Sequence, residues 1–164
     1  MSARFSSILL VALLTAGGTL AACGGASPDA LRAEAQAALS AGDPAKALQL
    51  ADQGLTVAKG DKAAAWQLEQ LRLDALAQSK QGAQVVSELE RLSKDYAAQV
   101  TAPLYRSLAD KAKAAGDTSG AIDILAAGDK RFPEDPTFKA AIEELKGAGM
   151  NPEEVEKLKA LGYL

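Results

Sequence analysis

Apolar residues recur at the spacing of a helix along most of the chain. From residue 28 onward they stand three and four positions apart, as in Leu31, Ala35, Ala38 and Leu39. This spacing places them on one face of a helix. Alanine is frequent throughout this region, and prolines stand at the starts of its segments. The pattern predicts an all-α domain.

Capping residues mark where the helices begin. Four dipeptides join a capping side chain to proline, which suits the first helical position: Ser27-Pro28, Asp43-Pro44, Asp135-Pro136 and Asn151-Pro152. Glu154 follows Asn151 at capping-box spacing, and further candidate caps are Asp61, Thr101 and Asp117. These signals predict eight helices, at approximately residues 28–41, 44–59, 62–79, 82–95, 102–115, 118–131, 136–147 and 152–161.

The predicted helical pairs repeat along the chain. Ala41-Gly42-Asp43 recurs 74 positions later as Ala115-Gly116-Asp117, and the weaker Gln78-Ser79-Lys80 lies midway, which gives a period of 37 residues. The chain here resembles tetratricopeptide (TPR) repeats, which pair two antiparallel helices. The resemblance implies a TPR-like stack of antiparallel helical hairpins over residues 28–147, with about three repeats. A generic alanine-rich helical bundle is the alternative.

The middle repeat departs from the other two. Small residues stand where the helices of the outer repeats would cross: Ala35, Ala47 and Gly54, then Ala109, Ala121 and Gly128. The same register places larger residues in the middle repeat: Arg72, Gln84 and Arg91. Either the middle repeat splays its helices, or the register slips by a residue or two near Gly82.

Residues 148–164 are expected to cap the stack. Their helix should pack Val155, Leu158 and Leu161 over the last hairpin, because an end repeat must close the array. Gly162 is a natural left-handed residue after a helix. Tyr163 and Leu164 then follow it and should pack back.

The first 22 residues have the plan of an export signal. Arg4 precedes an apolar run too short to span a bilayer, and small residues follow it. Leu20-Ala21-Ala22-Cys23 resembles the bacterial lipobox. The resemblance implies that residues 1–22 are a lipoprotein signal peptide and that Cys23 carries a diacylglycerol and an N-acyl lipid.

The setting of Cys23 supports this expectation. It is the only cysteine of the chain, and an unpaired thiol in an oxidising compartment is a liability unless it is modified. Residues 23–27 would form a short lipidated tether. Gly24 favours the outer membrane, facing the periplasm, within the bacterial cell envelope. An ordinary cleaved signal with a stray cysteine is the alternative.

The inventory of side chains argues against an enzyme. The chain has no histidine and a single cysteine, so a His/Cys metal cluster and the usual nucleophilic dyads and triads are excluded. Its 18 basic and 21 acidic residues give a net charge of −3, which argues against nucleic acid as a partner. We expect no metal and no cofactor beyond the lipid.

Binding is the better expectation, because stacked hairpins form a concave surface lined by the first helix of each pair. The register of 37 places eight candidate residues on this surface: Arg32, Gln36, Trp66, Glu69, Leu73, Arg106, Asp110 and Lys113. Trp66 is the candidate anchor, with a place in the core as its equal alternative.

Together these patterns predict a membrane-anchored periplasmic TPR-like adaptor or scaffold lipoprotein. It would bind a protein or peptide segment in an envelope assembly. The alternative is a structural or cell-wall-associated lipoprotein without a dedicated protein ligand.

Overall fold

A computed structural model describes residues 26–147 and 149–164, and these residues form eight α-helices and no strand. The helices are α1 Pro28–Ser40, α2 Pro44–Val57, α3 Lys62–Gln78, α4 Gly82–Asp95, α5 Ala102–Ala114, α6 Thr118–Arg131, α7 Thr137–Gly147 and α8 Pro152–Ala160. The all-α prediction is confirmed. The export signal, the lipobox and Cys23 lie outside the described residues.

Most of the expected caps are formed. The Asp43 carboxylate accepts a hydrogen bond from the Lys46 amide at 3.0 Å, and Asn151 and Glu154 form a reciprocal capping box with two bonds of 2.9 Å. Thr101 makes no side-chain cap bond. Asp135 accepts from the amide of Thr137, where α7 begins, one residue after the expected start.

The first three hairpins share one kind of turn. Gly42, Lys80 and Gly116 have positive φ angles of 75°, 60° and 79°. The amide of the next residue donates back to the carbonyl five positions earlier in each case: Asp43 to Ala38, Gln81 to Leu76 and Asp117 to Ala112. This is the Schellman arrangement that ends a helix. The turns stand 38 and then 36 residues apart, and in the middle turn Lys80 takes the place of a glycine.

This spacing shows that the register slips by one residue in the middle hairpin. Leu73, Val85 and Leu92 therefore occupy the places of Ala35, Ala47 and Gly54, and each is at most 1% exposed. Arg72, Gln84 and Arg91 are their sequence neighbours, so their assignment to the crossing positions was wrong.

The middle hairpin is also more open than its neighbours. The backbones of α3 and α4 approach each other less closely than those of α1 and α2. In the same way, α4 and α5 approach each other less closely than α2 and α3 do. Leucine and valine side chains fill the space that alanine and glycine leave free, so they hold the helices apart. Both explanations of the irregular middle repeat therefore apply.

The long helix α3 joins two hydrophobic clusters. Leu71 and Ala75 belong to a smaller cluster with α1 and α2. Leu73, Leu76 and Ala77 belong to a larger cluster with α4 to α8. Because α3 has apolar residues on both sides, it is buried between two groups of helices.

One carboxylate serves the starts of two helices. Asp117 accepts from the amide of Gly120 in its own helix α6 at 2.8 Å and from the amide of Gly82 at the start of α4 at 3.2 Å. Gln81 precedes α4 and makes no side-chain cap bond. A Cβ atom on Gly82 would lie 2.2 Å from the Cα of Gly120, so the two helix starts are in direct backbone contact.

The C-terminal helix packs on α6. Leu158 is fully buried, and the Lys157 ammonium contacts the Asp123 carboxylate at 2.7 Å. Gly162 adopts a φ of 82°, and the Tyr163 hydroxyl donates to Asp129 of α6 at 2.8 Å. Leu161 is 44% exposed and lines a depression with Ala126 and Ala127 of α6, so the expected packing of this side chain on the last hairpin is only partial.

Candidate functional site

Two depressions lie along the odd-numbered helices. The first, of about 530 Å³, lies between α1 and α3 and is lined by Arg32, Ala33, Gln36, Gln67, Gln70, Leu71 and Asp74. The second, of about 720 Å³, lies over α5 and the start of α7 and is lined by Pro103, Arg106, Ser107, Asp110, Lys111, Ala114, Asp135 and Thr137. An ion pair of 2.5 Å between Lys111 and Asp74 joins the two linings. We call the two depressions together the polar groove.

The charges in the polar groove alternate in sign. Arg32 contacts Asp29 at 3.3 Å, and Lys111 contacts Asp74. The Arg106 guanidinium donates to the carbonyl oxygen of Thr137 at 2.5 Å. Since basic and acidic groups neighbour each other along its length, the groove has no strong potential of one sign. It offers hydrogen-bonding groups, together with apolar surface such as that of Pro103 and Ala114 in the second depression.

Asp135 is one of the residues that line the second depression. Its carboxylate accepts hydrogen bonds from the hydroxyl and the amide of Thr137, and these bonds hold the pKa of Asp135 below its ordinary value. The Asp135 carboxylate therefore stays negatively charged in mildly acidic solution.

Four of the eight predicted residues lie in the polar groove. Arg32 and Gln36 line the first depression, and Arg106 and Asp110 line the second. Lys113 is exposed on α5 but lines neither depression.

Of the other three residues, two are buried and Trp66 is partly buried against the core. Leu73 is 1% exposed in the larger cluster, so its placement on the groove surface was wrong. Trp66 packs on that cluster, with its ring centroid 5.2 Å from that of Tyr96, which places it against the core. Glu69 is 6% exposed and paired with Arg91, so it too is displaced from the groove.

The one-residue slip explains these errors. Counted from the turn at Lys80, Gln70 takes the position of Arg32 and Arg106, and Asp74 takes that of Gln36 and Asp110. Gln70 and Asp74 line the groove, and the sequence reasoning missed them together with Gln67 and Lys111. The left-handed turn at Lys80 sets the register that would have located them. A glycine at that position would have indicated the turn in the sequence, but a lysine does not.

Five charged side chains form an ion-pair network away from the groove. It begins at Asp52 of α2, whose carboxylate contacts the Arg72 Nε atom at 2.8 Å. Arg72 contacts Glu88 of α4 at 2.9 Å, Glu88 contacts Arg91 at 2.7 Å, and Arg91 returns to Glu69 of α3 at 2.6 Å. The network thus links three helices.

The network changes the acidity of Glu88. Burial alone would raise the pKa of this carboxyl group, but the hydrogen bonds from Arg91 and Arg72 outweigh burial and lower the pKa below its ordinary value. Glu88 is therefore charged at neutral pH and holds both guanidinium groups.

The described part of the chain contains no group of three acidic, histidine or cysteine side chains placed to hold a metal ion. Within residues 26–147 and 149–164, no helix has both the length and the apolar character needed to cross a membrane. Comparisons of the chain with protein families, with curated proteins and with solved structures give no match.

Proposed function

We propose that this protein is a membrane-anchored TPR-like adaptor of the bacterial envelope that binds an extended segment of a partner protein in the polar groove. The observation that carries the proposal is the groove itself, which runs across consecutive odd-numbered helices and ends in the second depression beside Arg106. Stacked helical hairpins commonly bind partners on such a surface.

The repeated turns support the TPR-like assignment. The three hairpins share the same hydrogen-bonded turn. The odd-numbered helices α1, α3 and α5 pack side by side, while α4 packs on α6. A layer of first helices beside a layer of second helices is the arrangement expected of stacked hairpins.

The chemistry of the groove favours a peptide over a glycan. Gln36, Gln67 and Gln70 line the first depression, and each carboxamide both donates and accepts hydrogen bonds, as a peptide backbone does. None of the described residues that line the groove is aromatic. An aromatic ring would be the natural partner for the apolar face of a sugar, so the cell-wall alternative has less support.

The proposed membrane anchor is supported by the sequence alone. Lipidation of Cys23 would leave residues 24–27 between the lipid and α1, a span of about 13 Å when fully extended. Ser27 already caps α1 by accepting from the Ala30 amide at 3.2 Å. The groove would therefore lie beside the membrane, and the acyl chains would hold it there.

Site-specific photocrosslinking in living cells tests the proposal. A photoreactive amino acid replaces Gln70 in the groove or, as the matched control, Gln53 on the exposed side of α2. We expect a defined protein to crosslink from position 70 and not from position 53, and Arg106→Glu to reduce the yield. Mass spectrometry identifies the product.

The same experiment separates the alternatives. Equal crosslinking from both positions would contradict a role for the groove, and crosslinks to peptidoglycan fragments alone would support the cell-wall alternative. Repetition with Cys23→Ala tests the anchor, because loss of the product from the membrane fraction is expected if Cys23 carries the lipid.

A further inference from the structure

The seam between α2 and α4 differs from the seam between α4 and α6. Helices α4 and α6 pack directly, with Gly82 against Gly120. Helices α2 and α4, both within the described residues, do not pack along their lengths. The Asp52–Arg72–Glu88 bridge spans the distance between them instead.

The bridge lies where the interior is divided. One side of α3 packs with α1 and α2, and the other packs with α4 to α8. We call the first group, α1 and α2, the N-lobe and the second group, α4 to α8, the C-lobe. Leu48 of α2 contacts both clusters, so a small apolar contact and the charged bridge hold the lobes across α3.

We propose that α3 is a charge-braced joint, about which the N-lobe moves relative to the C-lobe, and that the Asp52–Arg72–Glu88 bridge limits this movement. Arg72 is the central element because it pairs with α2 on one side and with α4 on the other. The side chains of Arg72 and Glu88 are 23% and 21% exposed, so their pair is partly shielded from solvent and from salt. Asp52 is 55% exposed, so the α2 arm of the bridge is more open to both.

The movement changes the shape of the polar groove. The first depression lies between α1 and α3 and the second lies over α5 and α7, so the two depressions stand on opposite sides of the joint. The groove lies on the side of the odd-numbered helices, opposite the gap between α2 and α4. The groove therefore opens when α2 and α4 approach each other, and it narrows when they separate. A segment that occupies both depressions selects one curvature.

Distance measurements between paired spin labels test the joint. One pair, Gln49→Cys and Lys130→Cys, joins α2 of the N-lobe to α6 of the C-lobe. The control pair, Gln84→Cys and Glu156→Cys, joins α4 to α8 within the C-lobe. All four positions are exposed. The full chain carries Cys23→Ser so that only the introduced cysteines are labelled.

Arg72→Met removes both arms of the bridge and leaves the Glu69–Arg91 pair in place. We expect it to broaden or shift the 49–130 distance distribution by roughly 2 Å or more, the scale of helix shifts at movable interfaces. The 84–156 distribution should not change. Lys157→Met, which removes an ion pair between α8 and α6, should leave the 49–130 distribution unchanged.

An unchanged 49–130 distribution in Arg72→Met would overturn the proposal, because apolar packing would then fix the lobes without the bridge. Equal broadening of both label pairs would also overturn it by indicating general loosening. If Arg72→Met does not fold, Asp52→Asn tests the α2 arm alone, with the same readout. The experiment uses no ligand and no lipid, so its result is independent of the proposed function.

Discussion

The first and second helical hairpins share a turn but differ in what lies where their helices cross. Ala35, Ala47 and Gly54 let α1, α2 and α3 approach closely, and the backbone at Gly54 lies against Leu68. Leu73, Val85 and Leu92 hold α3, α4 and α5 further apart. The comparison teaches that a repeated turn fixes the direction of the chain, whereas the volume of the crossing residues fixes the distance between helices.

The largest effect should come from giving the second hairpin the glycine of the first. Leu92→Gly removes a fully buried side chain and should lower the free energy of unfolding by about 4 kcal/mol, from the lost leucine and the added backbone freedom. Urea unfolding measures it. Ala37→Gly at an exposed site of α1 isolates the backbone contribution, expected to be about 1 kcal/mol. Equal losses in the two variants would show that Leu92 supports no packing.

The reverse exchange, Gly54→Leu, should lower the free energy of unfolding somewhat less than Leu92→Gly does. In Gly54→Leu, the new Cβ atom would begin 2.6 Å from a methyl carbon of Leu68, so α2 and α3 must separate, at a cost of about 2–3 kcal/mol. Gly147→Ala is the control, because a Cβ there meets nothing within 4 Å, and it should stabilise the protein slightly. A Gly54→Leu protein as stable as wild type would show that this crossing tolerates the wider spacing.

A substitution at Glu69 should change the free energy of unfolding by a smaller amount, and in the stabilising direction. This buried carboxylate occupies the position that Leu31 and Tyr105 hold in the other hairpins, all less than 9% exposed. Glu69→Leu should leave the free energy of unfolding unchanged or raise it by about 1 kcal/mol, because a buried ion pair is often replaced by apolar packing without loss. Arg91→Leu should be destabilising, since it leaves Glu69 buried without its closest partner. A loss of stability in Glu69→Leu as large as that in Arg91→Leu would indicate that the pair itself is a net stabiliser.

The smallest effect should appear at high pH at the C-terminal end of the array. Burial and the hydrogen bond to Asp129 raise the pKa of Tyr163 to about 12. A raised pKa in the folded state gives stability that is complete below the ordinary tyrosine value near 10 and is lost as the pH rises through the folded value. Tyr163→Phe should therefore flatten the decline in stability between about pH 10 and 12, as measured by urea unfolding at each pH. An identical decline in both proteins would exclude Tyr163 as its source.

The helices could be predicted from the sequence, but their register could not. Asp43, Asp117 and Asn151 are local signals, and each caps a helix as expected. The slip in the middle hairpin was not readable because Lys80 occupies a left-handed turn. The apolar pattern of α3 did not reveal the register either, because apolar residues on both sides of this helix are compatible with either register.

Where the register held, the predicted groove residues were found with the exception of Lys113. Arg32 and Arg106 were found from the outer hairpins, whose turns lie in the expected places. Gln70 and Asp74 were missed because they lie in the slipped hairpin. The ion-pair network depends on contacts among α2, α3 and α4, and no periodicity within one helix reports such contacts.

The shared cap at Asp117 has a consequence for how the chain folds. In an array of hairpins, each unit ordinarily depends only on its immediate contacts, and folding can start anywhere and spread. Helix α4 receives its cap from the residue before α6, so the second helix of the second hairpin is capped only when the third hairpin is in place. The two hairpins should therefore form and melt as one cooperative unit.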